Sequence, residues 1–117
     1  MSVSSQSGAG AQLAHMVFFE LKEDTPEARS RQVAACRKYL SDHQGTLHFS
    51  VGTIAAELRR EVNVRDFQVA LHIIFRDKAS HDQYQTHPRH VQFIEENRQY
   101  WKSVRIFDSY LVDGLPG

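Results

Sequence analysis

Two side chains able to do acid–base chemistry stand six residues apart in the run Tyr84-Gln85-Thr86-His87-Pro88-Arg89-His90. Pro88 suits the first position of a helix, because its ring fixes φ near the helical value and its missing N–H would have no partner there. His87 then becomes the N-cap, and His90 falls at the third helical position, inside the first turn. The positive helix terminus disfavours an imidazolium at that place, by roughly 0.3–1 kcal/mol at an exposed site. An imidazole kept neutral near pH 7 can accept a proton, as a general base must. The proline breaks the chain between the two residues, so the Tyr84 phenol can fold back toward the imidazole. A phenol–imidazole pair beside an apolar wall could deprotonate a carbon acid while donating a hydrogen bond to its carbonyl.

Two further polar residues fit the same site. His15 starts a row of alternate residues on the first strand, and Asp108 alternates with Val104 and Ile106 on the last. A carboxylate there can orient one histidine nitrogen, as in base–orienter pairs. A structural reading of the same residues stands beside this one: His87 caps a helix, His90 is a partly buried histidine with a backbone partner, and Tyr84 packs. Seven histidines invite a metal. They are scattered, however, and His87 and His90 form a poor chelate, with Pro88 between them, His87 outside the helix and no nearby carboxylate to complete a tetrahedral set. Neither a metal nor a cofactor is expected. Trp101 beside Tyr100 reads as core rather than cofactor box. Cys36, the single cysteine, allows no intrachain disulfide or paired-thiol motif and reads as a small core residue.

The elements that must position these groups are legible from period and punctuation. Residues 15–22 (HMVFFELK) form a strand with His15, Val17, Phe19 and Leu21 on one face and Met16, Phe18 and Glu20 on the other. Apolar residues on both faces imply that both are covered. Thr25 as N-cap and Pro26 at the first position open a helix that runs to about His43 and stops at Gly45, with Val33, Cys36 and Leu40 as a narrow apolar stripe. A second strand covers 46–53, with Leu47, Phe49 and Val51 on one face. Residues 54–65 are a charged surface loop in which 57–61 (ELRRE) is a solvated face. The third strand, 66–76, alternates most strictly, and a short helix covers 78–86. A second long helix runs from Pro88 to about Trp101, with Val91, Ile94 and Trp101 on one stripe. The last strand is 104–111. The order β-α-β-β-α-β is the ferredoxin-like arrangement, an α+β fold with a four-stranded antiparallel sheet and its helices on one face. The bare face would carry Met16, Phe18, Ile74 and Phe107, an apolar patch of the kind that marks an interface, here one with a second copy of the chain about a two-fold axis.

Composition narrows the function classes. The 117 residues suit one domain, at 14–112, between a disordered tail at 1–13 and a frayed end at 113–117. Lys plus Arg and Asp plus Glu both total 14, so no basic excess exists to track nucleic acid or an anionic membrane. No apolar run approaches the ~20 residues of a membrane span, and the start of the chain lacks the pattern of a secretory signal. A soluble cytoplasmic protein is expected.

At these residues the chain resembles the stress-responsive A/B-barrel (Dabb) family over residues 14–111. The carriers are His15-Met16-Val17, Gly52, Phe75 with Asp77, the signature Tyr84-x-x-His87-Pro88-x-His90, and residues 104–108 (VRIFD). The resemblance implies a homodimeric α/β barrel made of two ferredoxin-like sheets. One plant member closes a linear polyketide by a cofactor-free aldol condensation. Its catalytic tyrosine and histidine match Tyr84 and His90, its pocket tryptophan Trp101, its strand histidine His15 and its late aspartate Asp108. That enzyme has a histidine where this chain has Val69, and aromatics on the first helix where this one offers Val33 and Ala34. Related barrels include cofactor-free and haem-dependent monooxygenases with an Asn–Trp–His set, to which Asn97 and Trp101 are similar.

The resemblance and the residues together point to a small-molecule site between sheet and helices. Tyr84, His90, His15 and Asp108 would supply its chemistry, and Val17, Phe19, Val69, Leu71, His87, Trp101, Val104 and Ile106 would line it. Its ligand would be a small apolar or aromatic carbonyl compound, and its reaction a cofactor-independent cyclisation, isomerisation or decarboxylation. The alternative is a non-catalytic stress or assembly protein that works through its dimer.

Overall fold

Strand alternation, helix caps and two left-handed turns account for the element order of the chain. The computed structural model describes residues 10–116, so most of the expected tail at 1–13 lies outside the described residues. Strand β1 (Leu13–Leu21) starts two residues earlier than the alternation suggests. Helix α1 (Pro26–Leu40) is capped by Thr25, whose hydroxyl accepts the Ala28 N–H at 3.0 Å. Strand β2 (Thr46–Thr53) and strand β3 (Val69–Phe75) follow, separated by the charged loop, whose residues 57–61 are exposed as expected. Helix α2 (Lys78–Thr86) is capped by Asp77, and helix α3 (Pro88–Asn97) by His87. Strand β4 (Trp101–Tyr110) closes the domain.

The sheet order is β2-β3-β1-β4, antiparallel throughout. Its register aligns the two faces directly. His15 sits opposite Ile73 and Asp108, Val17 opposite Leu71 and Ile106, and Phe19 opposite Val69 and Val104. This face meets the helices and holds the core, in which Phe19, Leu71, Ile73, Phe75, Cys36 and Leu40 are almost fully buried. Burial pushes the Cys36 thiol up to about 12, so it stays protonated and inert. On the other face Met16 stands opposite Phe107 and His72, and Ala14 opposite Ile74. Here the Phe18 ring packs edge to face on Phe67 at 5.0 Å and on Phe107 at 5.6 Å. Phe107 remains 58% exposed, whereas Ile74 is already covered within the protomer.

Several boundaries differ from expectation. Strand β3, expected from 66, starts only at Val69, and the Phe67 ring before it packs on Phe18 of the bare face. Helix α1 ends at Leu40 rather than near His43, because Ser41 is extended and Asp42 turns left-handed at φ 61°, a region that Asp tolerates better than most residues. The His43 ring folds back and donates to the Tyr39 carbonyl at 2.7 Å, satisfying a helix-end acceptor. Gly45 therefore serves the turn into β2 instead, at φ 87°, and a Cβ there would lie 2.4 Å from the Cβ of Ser80. That close approach seats α2 against the start of β2.

Helix α3 stops at Asn97, followed by one 3₁₀ turn, so Trp101 belongs to β4 and not to the helix. The helix stripe is His90, Phe93, Ile94 and Asn97, and Val91 points outward. A bulge leaves Lys102 unpaired between Trp101, the partner of Leu21, and Ser103, the partner of Glu20, which returns Trp101 to the side of Val104. The residues 113–116, expected to fray, are held by Leu115, which exchanges two 2.8 Å hydrogen bonds with the Gln12 side chain. No helix among the described residues is long and apolar enough to cross a membrane.

Candidate functional site

Between the sheet and α3 lies a cavity of about 120 Å³. Its floor is Val17 and Phe19 of β1, Leu71 of β3, and Val104 and Ile106 of β4. The helices close it with Leu40, Tyr84, His90, Phe93 and Ile94, and Trp101 forms one end. Ile106 is 52% exposed, so the cavity opens along the β4 edge, which the helices do not reach. The lining is overwhelmingly hydrocarbon and aromatic, and its polar members are His15, Tyr84, Gln85 and His90.

Tyr84, on the last turn of α2, and His90, on the first turn of α3, come together as their spacing suggests. Their ring centroids are 4.7 Å apart at 67°, and both residues are buried. His87 makes this possible, since its Nδ1 accepts the Arg89 N–H at 3.1 Å and starts α3 in a new direction. Burial, with the charges of His15, His43 and His81 as smaller causes, lowers His90 to about 4. Its Nδ1 is buried without a hydrogen-bond partner among the described residues, a state that a ligand group entering the cavity would relieve. Burial pushes the Tyr84 phenol well above its usual range, so it remains an O–H donor.

His15 and Asp108 also meet. The His15 Nδ1–H donates to Asp108 Oδ1 at 2.6 Å across the β1–β4 pair. That bond fixes the tautomer and leaves the Nε2 lone pair of His15, a cavity-lining residue, as an acceptor. Burial lowers His15, and Asp108 opposes the shift without cancelling it. The histidine that Asp108 orients is thus His15, not His90.

The structure leaves two residues expected in the lining outside it. Val69 is fully buried beside its strand partner Phe19 and does not reach the cavity. His87, as a cap outside the helix, faces a second hollow with His43, whose ring lies 4.8 Å away. Leu40, Gln85, Phe93 and Ile94 line the cavity without having been assigned to it. The Phe93-Ile94 pair carried a signal, since both lie one helical turn beyond His90. Leu40 is what α1 contributes in place of Val33 and Ala34. Asn97 donates its amide to the Phe93 carbonyl at 2.9 Å, and Trp101 Nε1–H donates to Gln32 at 2.8 Å. Both side chains thus brace the scaffold, while Trp101 also lines the cavity.

His81 is the residue that sequence spacing missed. It lies on α2, 66 positions after His15 and 27 before Asp108, yet the three gather their donor atoms within 4.8 Å of one another. The histidine pair that a carboxylate joins is thus His15 with His81, not His87 with His90, and the sheet register supplies Asp108.

The neutral buried histidines make stability depend on pH. His90 has a folded value of about 4 against roughly 6.5 in an unfolded chain, so between those values the unfolded state binds more protons. Stability must fall as pH drops from 6.5 toward 4, by up to about 1.4 kcal/mol per pH unit from this residue alone. His15 and His43, also lowered, act in the same direction. Urea unfolding at pH 7.5, 6, 5 and 4.5 measures it, and His90→Gln flattens the slope.

Comparison with known proteins places these features. The family model described as Stress Responsive A/B Barrel Domain matches residues 13–111. A Dabb-family protein with a ferredoxin-like fold from Mesorhizobium loti is 25% identical, with a TM-score of 0.69 over 85% of this chain and 95% of its own. A dimeric ferredoxin-like protein of unknown function from Thermobifida fusca is 14% identical, with a TM-score of 0.71 over 89% of this chain and 94% of its own. A hydroxynitrile lyase from Passiflora edulis is 15% identical, with a TM-score of 0.70 over 92% of this chain and 99% of its own. No curated protein matches the chain by sequence.

Proposed function

Given that the chain belongs to the stress-responsive A/B-barrel domain family, we propose that it acts as a homodimer in which each protomer moves a proton on a small carbonyl compound bound between sheet and helices. The observation that carries this reading is the unpartnered, buried Nδ1 of His90, beside a phenol that stays protonated, at an apolar cavity. The neutral imidazole takes a proton from the carbon next to a carbonyl. The C–H electron pair moves into the carbonyl, and the Tyr84 O–H donates to the oxygen as it becomes an anion. A base held near 4 in the empty pocket gains proton affinity as that negative charge develops beside it. Returning the proton to another carbon isomerises the substrate, whereas attack of the enolate carbon on a second carbonyl cyclises it. His15, with its tautomer fixed by Asp108, offers a second acceptor to a hydroxyl of the same ligand.

A cavity of this size takes a benzene-sized group, which limits the buried part of the substrate to one small ring or short chain. The dimers named among the structural relatives support the assembly, and the Passiflora edulis lyase supports a site that does chemistry. The test is proton exchange in deuterium oxide, followed by NMR on a panel of small cyclic ketones and 1,3-diketones. Wild-type chain is expected to accelerate exchange at the activated carbon, and Tyr84→Phe to lose about 100-fold of that rate. A panel with no acceleration, or a fully active Tyr84→Phe, contradicts the reading.

One observation favours a second reading, a non-catalytic assembly protein. At 120 Å³ the cavity is smaller than the roughly 300–1,000 Å³ usual for ligand pockets, while the aromatic face around Phe107 is broad.

A further inference from the structure

We propose that His15, His81 and Asp108 form a binding site for a divalent transition-metal ion at the edge of the cavity. Each contributes one ligand atom, and the three lie within 4.8 Å of one another. They come from three different elements, β1, α2 and β4, so the fold and not a local motif assembles them. Two imidazoles and one carboxylate are the donor set that binds such an ion from one side and leaves further positions open.

Metal–ligand bonds of about 2.0–2.2 Å set donor atoms roughly 3 Å apart. The 2.6 Å contact between His15 and Asp108 must therefore widen slightly, and the longest separation must close. Both adjustments are cheap. The Asp108 side chain is 42% exposed on an edge strand, and His81 sits on a two-turn helix near the surface. A single proton now bridges His15 Nδ1 and the carboxylate, and an ion would take its place. The displaced proton moves to Nε2, so His15 turns from acceptor to donor on its cavity side.

His81 already has the outer support that metal-binding histidines use. Its Nδ1–H donates to Asp82 Oδ1 at 3.0 Å, which leaves the lone pair on Nε2, where it accepts the Gln85 amide N–H at 3.3 Å, a long contact that an ion would displace. Asp82 is held in turn by Lys78 at 2.6 Å. Nitrogen donors with a single carboxylate suit zinc, cobalt or nickel, whereas calcium and magnesium need more oxygen. The site shares only His15 with the cavity lining, and it stands whether or not Tyr84 and His90 catalyse.

The test titrates untagged, chelator-stripped chain with Co²⁺ alone at pH 7.5, following the visible absorption of the bound ion and the heat of binding. One ion per chain is expected. His81→Ala and Asp108→Asn should each weaken binding on the order of 100-fold, with His48→Ala unchanged. On wild-type chain, Co²⁺ should displace the imidazole NMR resonances of His15 and His81 and spare those of His48, a readout that needs no variant to fold. Absence of saturable binding overturns the proposal. So does binding that survives His81→Ala, or resonances of His15 and His81 that stay in place.

Discussion

Phe18→Asp is expected to turn the proposed homodimer into a monomer. Phe18 lies at the centre of the face that the helices leave bare, between Phe67 and Phe107, with the His72 ring 6.3 Å away. Phe107 and Val64 on the same patch are 58% and 60% exposed. Closing two such faces about a two-fold axis brings each Phe18 under cover in both copies, so a single substitution acts twice. Each copy loses part of an aromatic contribution of about 1.5–3 kcal/mol, since the protomer already covers some of the ring, and would have to bury a carboxylate without a partner, at several kcal/mol more. The sum exceeds about 6 kcal/mol, or more than 10⁴-fold in the dissociation constant. Sedimentation velocity at 10 μM reads the outcome. A Phe18→Asp chain that still sediments as a dimer places the interface elsewhere. The Phe18 ring is only half-buried in the protomer, so the monomer should keep its helical circular dichroism.

The second large effect falls on His90. His90→Ala removes the group proposed to receive the proton and is expected to lower carbon-acid exchange by 10²–10⁴-fold. It also enlarges the cavity next to Tyr84, so His90→Gln, which nearly keeps the volume, serves as the partner variant. If the loss comes from chemistry, both variants lose rate alike and small exogenous imidazole restores part of it to His90→Ala. If it comes from packing, His90→Gln retains the rate. Stability adds a further readout: a side chain that does not titrate spares His90→Gln the loss that wild type suffers on acidification, so the variant should lose less stability than wild type between pH 7.5 and pH 5.

Much of this architecture was legible in the chain, for reasons that differ by element. Strand β3 is read correctly from Val69 on, because Val69, Leu71, Ile73 and Phe75 repeat at period two, whereas Phe67 precedes the strand and packs on the other face. Thr25-Pro26, Asp77 and His87-Pro88 mark helix starts because capping and proline geometry are local physics. Helix ends were less legible. Asp42 and Gly45 both adopt positive φ, and only the packing of Ser80 against Gly45 decides which of them serves the turn into β2. Trp101 looked helical because it stands one turn past Asn97, and the bulge opposite Leu21 that claims it for β4 depends on a strand eighty residues earlier. The Tyr84–His90 meeting was visible because a single break joins them. His81 was not, since nothing local ties it to His15 and Asp108; the sheet register brings the latter two together and the seat of α2 brings the third. Val69 and His87 were misplaced for a related reason: alternation and caps give a side chain its face, not its depth along it.

The bulge at the start of β4 has a consequence for how such chains can change. Successive residues from Ser103 to Ser109 serve opposite masters, one set the ligand chamber and the other the aromatic patch. Gain or loss of one position within that stretch would swap Ile106 and Asp108 with Phe107 and its neighbours, ruining both at a stroke. Lys102 is the exception, because the sheet already skips it. A change in the length of this strand is therefore tolerated best at that one site.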